Sequence, residues 1–93
     1  MLYMVIERFR SREAAAGVYR RFEERGRMMP EGLRYVSSWV AADLSRCFQL
    51  MESEDRRLFD EWTAHWRDLV EFEIVPVVSS QEASESIGLQ LSR

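Results

Sequence analysis

The strand-like runs of this chain are apolar on both of their faces. In the first, Tyr3, Val5 and Phe9 alternate with Leu2, Met4 and Ile6, and further on Cys47, Gln49 and Met51 alternate with Phe48 and Leu50. A sheet with helices on one side and water on the other alternates apolar with polar residues, so the second face here also wants cover. Two main helices in a chain of 93 residues can cover one face only. The pattern therefore predicts a homodimer in which a partner subunit covers the other.

Leu2 to Phe9 reads as a strand, rich in residues that favour extended backbone. Ser11 offers an N-cap with Glu13 in the first turn, and Ala14, Ala15, Val18 and Phe22 form the stripe of a helix that Gly26 ends. Pro30, Glu31 and Gly32 make a turn. Leu33 to Ala42 and Arg46 to Glu52 follow as two strands joined by a short polar loop, the spacing of a hairpin. Ser53 and Asp55 open a second helix with the stripe Leu58, Phe59, Trp62, Trp66 and Leu69. Val70 to Val78 is the last strand, placed at a sheet edge by Pro76, which has no N–H for a ladder. Ser79 and Glu82 make a capping box for a short polar helix ending near Gly88.

The order β-α-β-β-α-β with right-handed crossovers predicts an α+β, ferredoxin-like fold, a four-stranded antiparallel sheet in order 4-1-3-2. That order also puts the fourth strand at an edge, where Pro76 requires it. Residues 1–79 form the domain, and 80–93 a short C-terminal helix and tail.

A hydrophobic content of 46% in this length makes one small domain with a modest core. The net charge of −3 offers no basic field for nucleic acid or an anionic membrane, and no apolar stretch is long enough to span a bilayer. Strand character from Leu2 onward argues against a secretion signal, and a single Cys47 excludes an intrachain disulfide, so a cytoplasmic location is expected. All thirteen basic residues are Arg, which fits codon bias in a GC-rich genome. Without Lys, no side chain can form a Schiff base.

Glu7 shares a strand face with Tyr3, Val5 and Phe9. If that face is buried, the carboxyl loses hydration and its pKa rises, which prepares a general acid or base. The plainer alternative is a strand-end ion pair with an Arg such as Arg46. His65, the only histidine, lies about 60° from Trp62 on a helical wheel. It either looks into a cavity between helix and sheet or stays at the surface, hydrogen-bonded to Glu61. Arg25 falls in line with Val18 and Phe22, with Arg21 one turn earlier; the pair could bind a carboxylate or phosphate, or Arg25 could simply suit the helix C-terminus. Tyr35, Trp39, Trp62 and Trp66 are core residues or the walls of a site for a flat aromatic ligand. One His and one Cys on distant elements give no metal-ligand spacing, and neither a Gly-rich phosphate loop nor a Ser-centred nucleophile motif is present. Metal and cofactor are both expected to be absent.

The segments Met1 to Phe9, Gly26 to Leu33, Ser38-Trp39-Val40 and Glu71 to Val78 together resemble the DUF3303 family, as do the strand Cys47 to Glu52 and the helix carrying Glu61, Trp62 and Trp66. The likeness covers roughly residues 1–83. It implies a dimeric α+β barrel, in which two such sheets pack face to face. Within the family the chain also resembles the RedY/HapK/PigK-type proteins of prodiginine biosynthesis, a likeness that implies a role in making the bipyrrole half of that pigment. Haem-degrading members of the wider superfamily use an Asn on the first strand with a Trp and a His; here Glu7 stands in place of the Asn.

Together these readings lead to a cofactor-independent protein of secondary metabolism. It would promote cyclisation or dehydration of a planar, pyrrole-type intermediate, with Glu7 and His65 exchanging protons and Arg25 holding an oxygen. Two alternatives are a non-catalytic carrier of a reactive intermediate and a monooxygenase of the superfamily type.

Overall fold

Tyr3, Val5, Ile6 and Phe9 favour extended backbone, and Leu2–Phe9 forms β1, an inner strand of the sheet. The computed structural model describes residues 1–91. After β1 come α1 (Arg12–Arg25), β2 (Arg34–Val40), β3 (Arg46–Glu52), α2 (Arg57–Thr63), β4 (Val70–Val77) and α3 (Ser80–Leu91). The strands make one antiparallel sheet in the order β2-β3-β1-β4, the ferredoxin-like arrangement expected, with Pro76 on the edge strand opposite Tyr3.

The helix ends follow their capping chemistry. Ser11 Oγ accepts from the Ala14 N–H at 2.9 Å. At the other end of α1 the Gly26 N–H donates to the Phe22 carbonyl at 2.7 Å, with Gly26 at φ 67°, a conformation in which any side chain would be strained. The α2 entry is built by Asp55, whose carboxylate accepts from the Arg57 N–H at 3.0 Å. Ser79 caps α3 through the Glu82 N–H at 3.1 Å, and this helix runs three residues beyond the expected end at Gly88.

Two expectations are corrected. The apolar stripe suggested one helix from Asp55 to Leu69, but α2 stops at Thr63. Turns follow, in which the His65 N–H bonds to the Trp62 carbonyl and the Trp66 N–H to the Thr63 carbonyl. Strand β2, expected over Leu33 to Ala42, is shorter, and its pairing with β3 shifts between Tyr35 and Ser37, a bulge that leaves Val36 without a partner.

The core lies between α2 and the sheet. Tyr3, Val5, Leu33, Met51, Phe59, Trp62 and Trp66 are buried together, with the Phe59 ring edge-on to both Tyr3 at 4.9 Å and Trp62 at 6.5 Å. On the opposite face Leu2, Met4, Ile6, Phe48 and Leu50 are only half-buried. Among the described residues no helix is long and apolar enough to cross a membrane.

Candidate functional site

Register fixes the face on which each strand residue lies. Glu7 stands opposite Cys47 on β3 and Phe72 on β4, so it continues the inner row begun by Tyr3 and Val5. Those two lie beneath α2, whereas Glu7 and Phe9 lie where α1 crosses; the Phe9 and Tyr19 rings are 6.4 Å apart. Helix α1 buries fewer of its side chains than α2. Ala14 is its one buried residue, and Tyr19 and Phe22 remain 53% and 39% exposed.

A pocket of about 200 Å³ opens between α1 and the sheet. Its apolar walls are Phe9, Val18, Phe22, Val40, Trp62 and Trp66, and its polar members are Glu7, Ser38, Gln49 and Arg27, with Cys47 beside them. The far side of α1 is tied down. The Arg21 guanidinium grips the Asp68 carboxylate at 2.8 and 2.9 Å, donates to the His65 carbonyl at 2.6 Å and lies over the Trp66 ring. Gly17 sits so close to Leu69 that an added Cβ would meet its side chain at 3.3 Å.

Glu7 is 6% exposed, and burial raises its pKa from 4.5 to about 7. The Gln49 amide donates to its Oε2, and the charge of Arg27 also favours the anion, but loss of hydration outweighs both. The neighbouring Cys47 thiol is pushed up to about 11, by burial first and then by the negative charge of Glu7. It therefore stays protonated near neutrality and is no thiolate nucleophile. The ion pair between Glu7 and Arg46 does not form: Arg46 lies over the Phe48 ring on the other face of the sheet.

Arg27 completes the wall. The chain leaves α1 through Gly26 and turns so that the Arg27 carbonyl accepts from both indoles, Trp62 Nε1 at 2.9 Å and Trp66 Nε1 at 3.2 Å. These bonds satisfy two buried N–H groups and pin the loop to the core. The guanidinium is held over the rings of Tyr35 and Phe22, at 3.8 and 5.0 Å from their centres. It makes no hydrogen bond or ion pair among the described residues, which leaves its donors for an anionic or carbonyl oxygen.

The expected site residues therefore divide. Glu7, Trp62 and Trp66 meet in the pocket, and Tyr35 supports it, stacked under Arg27 with its hydroxyl 2.7 Å from Ser38 Oγ. Trp39 does not join them. The bulge at Val36 reverses the alternation, so Tyr35, Ser38 and Val40 face inward while Trp39 pairs with Phe48 on the open face, 55% exposed. His65 is exposed and outside the pocket, because the chain has left the helix before reaching it. Arg25 is exposed in the last turn of α1, on a separate outer groove with Glu13, Arg20 and Glu24.

Two residues of the site escaped the sequence reading. Gln49 was legible as the one polar residue in the inner row of β3, opposite Val5 and diagonal to Glu7 in the sheet. Arg27 carried no such signal, since its position depends on long-range bonds from α2 and the turn after it.

Among the described residues no three His, Cys, Asp or Glu side chains converge as a metal site would require. Comparison with curated proteins and with solved structures found no match to either. The sequence does match the family described as "Domain of unknown function (DUF3303)" over residues 1–89. With nearly its whole length inside that match, the chain belongs to the DUF3303 family.

Proposed function

We propose that this chain is a cytoplasmic homodimer that promotes dehydration or cyclisation of a small, planar, pyrrole-type intermediate, as in prodiginine biosynthesis, by acid–base chemistry of its own residues. The observation that carries this reading is Glu7, a carboxyl buried against an aromatic pocket with a midpoint of about 7. Near neutrality such a group is present in both forms, the condition for exchanging protons with a substrate. In a dehydration its acid form gives a proton to a departing hydroxyl, which leaves as water. The carboxylate so formed then removes a proton from the neighbouring carbon, and Glu7 is restored.

Arg27 takes the part first expected of Arg25, holding a carboxylate or enolate oxygen, and Trp62 and Trp66 exclude water. Glu7 works without His65, and a single carboxyl suffices for this cycle. With a candidate hydroxylated pyrrole substrate, Glu7→Gln is expected to abolish release of water, measured by mass spectrometry, while leaving ligand binding in place. Turnover within about threefold of the parent, too small a change for loss of a general acid–base group, would sink the catalytic reading.

A carrier role is favoured by a separate fact: among the pocket's described residues Glu7 alone has a shifted midpoint near neutrality, the Cys47 thiol lying far above it. Binding with no turnover by either protein would select it. The dimer joins the open sheet faces, where half-buried Leu2, Met4, Ile6, Phe48 and Leu50 surround exposed Trp39. Sedimentation equilibrium is expected to give twice the chain mass, and a single-chain mass would remove the dimer.

A further inference from the structure

Gln49 sits on the inner face of the sheet, opposite Val5 on β1 and Ser38 on β2, and is 8% exposed where it lines the pocket. Its amide nitrogen donates to Glu7 Oε2. While Glu7 is ionised its carboxylate can only accept, so in that state this contact fixes which way round the amide lies. The amide oxygen is thereby left over, and among the described residues it is the buried side-chain polar atom with no hydrogen-bond partner. Leaving such an acceptor unpaired is unfavourable, because it gives up its hydrogen bonds to water with nothing in their place.

We infer that Gln49 is a specificity-determining residue: its Oε1 pairs with an N–H or O–H carried by the ligand, so that the pocket selects flat rings bearing such a donor over isosteres that lack it. The inference rests on reading this pocket as a ligand site and adds what the ligand must present. The rest of the wall is consistent with a two-point grip. Arg27 offers donors to an anionic oxygen, Gln49 offers an acceptor to a ring N–H, and the aromatic side chains fit a flat body between them. A site built around a polar partner discriminates strongly, because the wrong ligand leaves the buried group unpaired as well as losing the bond.

The test uses indole-2-carboxylate and benzofuran-2-carboxylate, which share shape and charge and differ in carrying N–H or ring oxygen. Calorimetry is run at a pH above the Glu7 midpoint, where the amide is held by the carboxylate. The indole acid is expected to bind the unmodified protein about tenfold more tightly, equivalent to about 1.4 kcal/mol. Gln49→Met, which keeps the length but removes the acceptor, is expected to reduce that preference to less than about threefold. Equal affinities in the unmodified protein overturn the role of Gln49 while leaving the pocket a ligand site, and this comparison stands even if the variant fails to fold. A preference that survives in folded Gln49→Met also overturns it. Failure of both acids to bind overturns the inference together with the pocket reading beneath it.

Discussion

Two regions on the same face of β1 lie under different helices. Under α2, Tyr3 and Val5 meet Phe59 and Trp62 in a dry core, where Val5 and Phe59 are at most 1% exposed. Two residues further along, under α1, the same row continues with Glu7, and the layer above it opens into a pocket. The helix over the core brings Phe59 and Trp62 down onto the sheet. The inward stripe of α1 begins with alanines and reaches only Val18 and Phe22 above Glu7, so there is too little side chain to fill the space. Stability is concentrated under one helix, and the short inward side chains of the other leave the space that could admit a ligand.

That division can be broken from either end. Phe59→Ala, in the dry region, is expected to cost about 3–5 kcal/mol by opening a cavity, read as a lower denaturation midpoint. Phe22→Ala, on the pocket wall and 39% exposed, is expected to cost about 1 kcal/mol or less while weakening ligand binding through loss of a ring beneath Arg27. Comparable losses of stability would show that both helices carry the core alike.

Glu7 lies between these extremes, and its effect depends on pH. Its folded midpoint of about 7 is above the ordinary 4.5, so the folded state holds a proton that the unfolded chain releases. Stability from this group is fully present below about pH 4.5 and falls as pH rises toward 7, because the unfolded state then binds fewer protons. At about 1.4 kcal/mol per pH unit, the full loss is roughly 3 kcal/mol. Glu7→Gln cannot ionise and is expected to be more stable than the parent by about 2–3 kcal/mol above neutrality, with the advantage disappearing in acid. Denaturant titrations at both ends of this range measure it; a constant difference would mean that Glu7 is not desolvated.

The strand order, both caps of α1 and the edge position of β4 were legible because each rests on local chemistry: alternation, a Ser, a Gly, a Pro. Glu7 was legible for the same reason, as a charged residue in an apolar row. The placement of Trp39 was not, because one extra residue at Val36 reverses which side chains face the helices, and the sequence around it carries no Gly or Pro to mark a bulge. His65 was misplaced by extending a helical wheel past the point where the helix ends. Arg27 is set by two indole bonds from residues 35 and 39 positions away, a relation that no local pattern encodes.

The proposed acid–base chemistry depends on a carboxyl that is half-ionised near neutrality because it is buried at the mouth of the core. Carbon-detected NMR titration of the Glu side-chain carboxyls measures this directly, with Glu7→Gln identifying the resonance. A midpoint for Glu7 of about 7 is expected, well above that of the exposed glutamates; a midpoint near 4.5 would contradict the account.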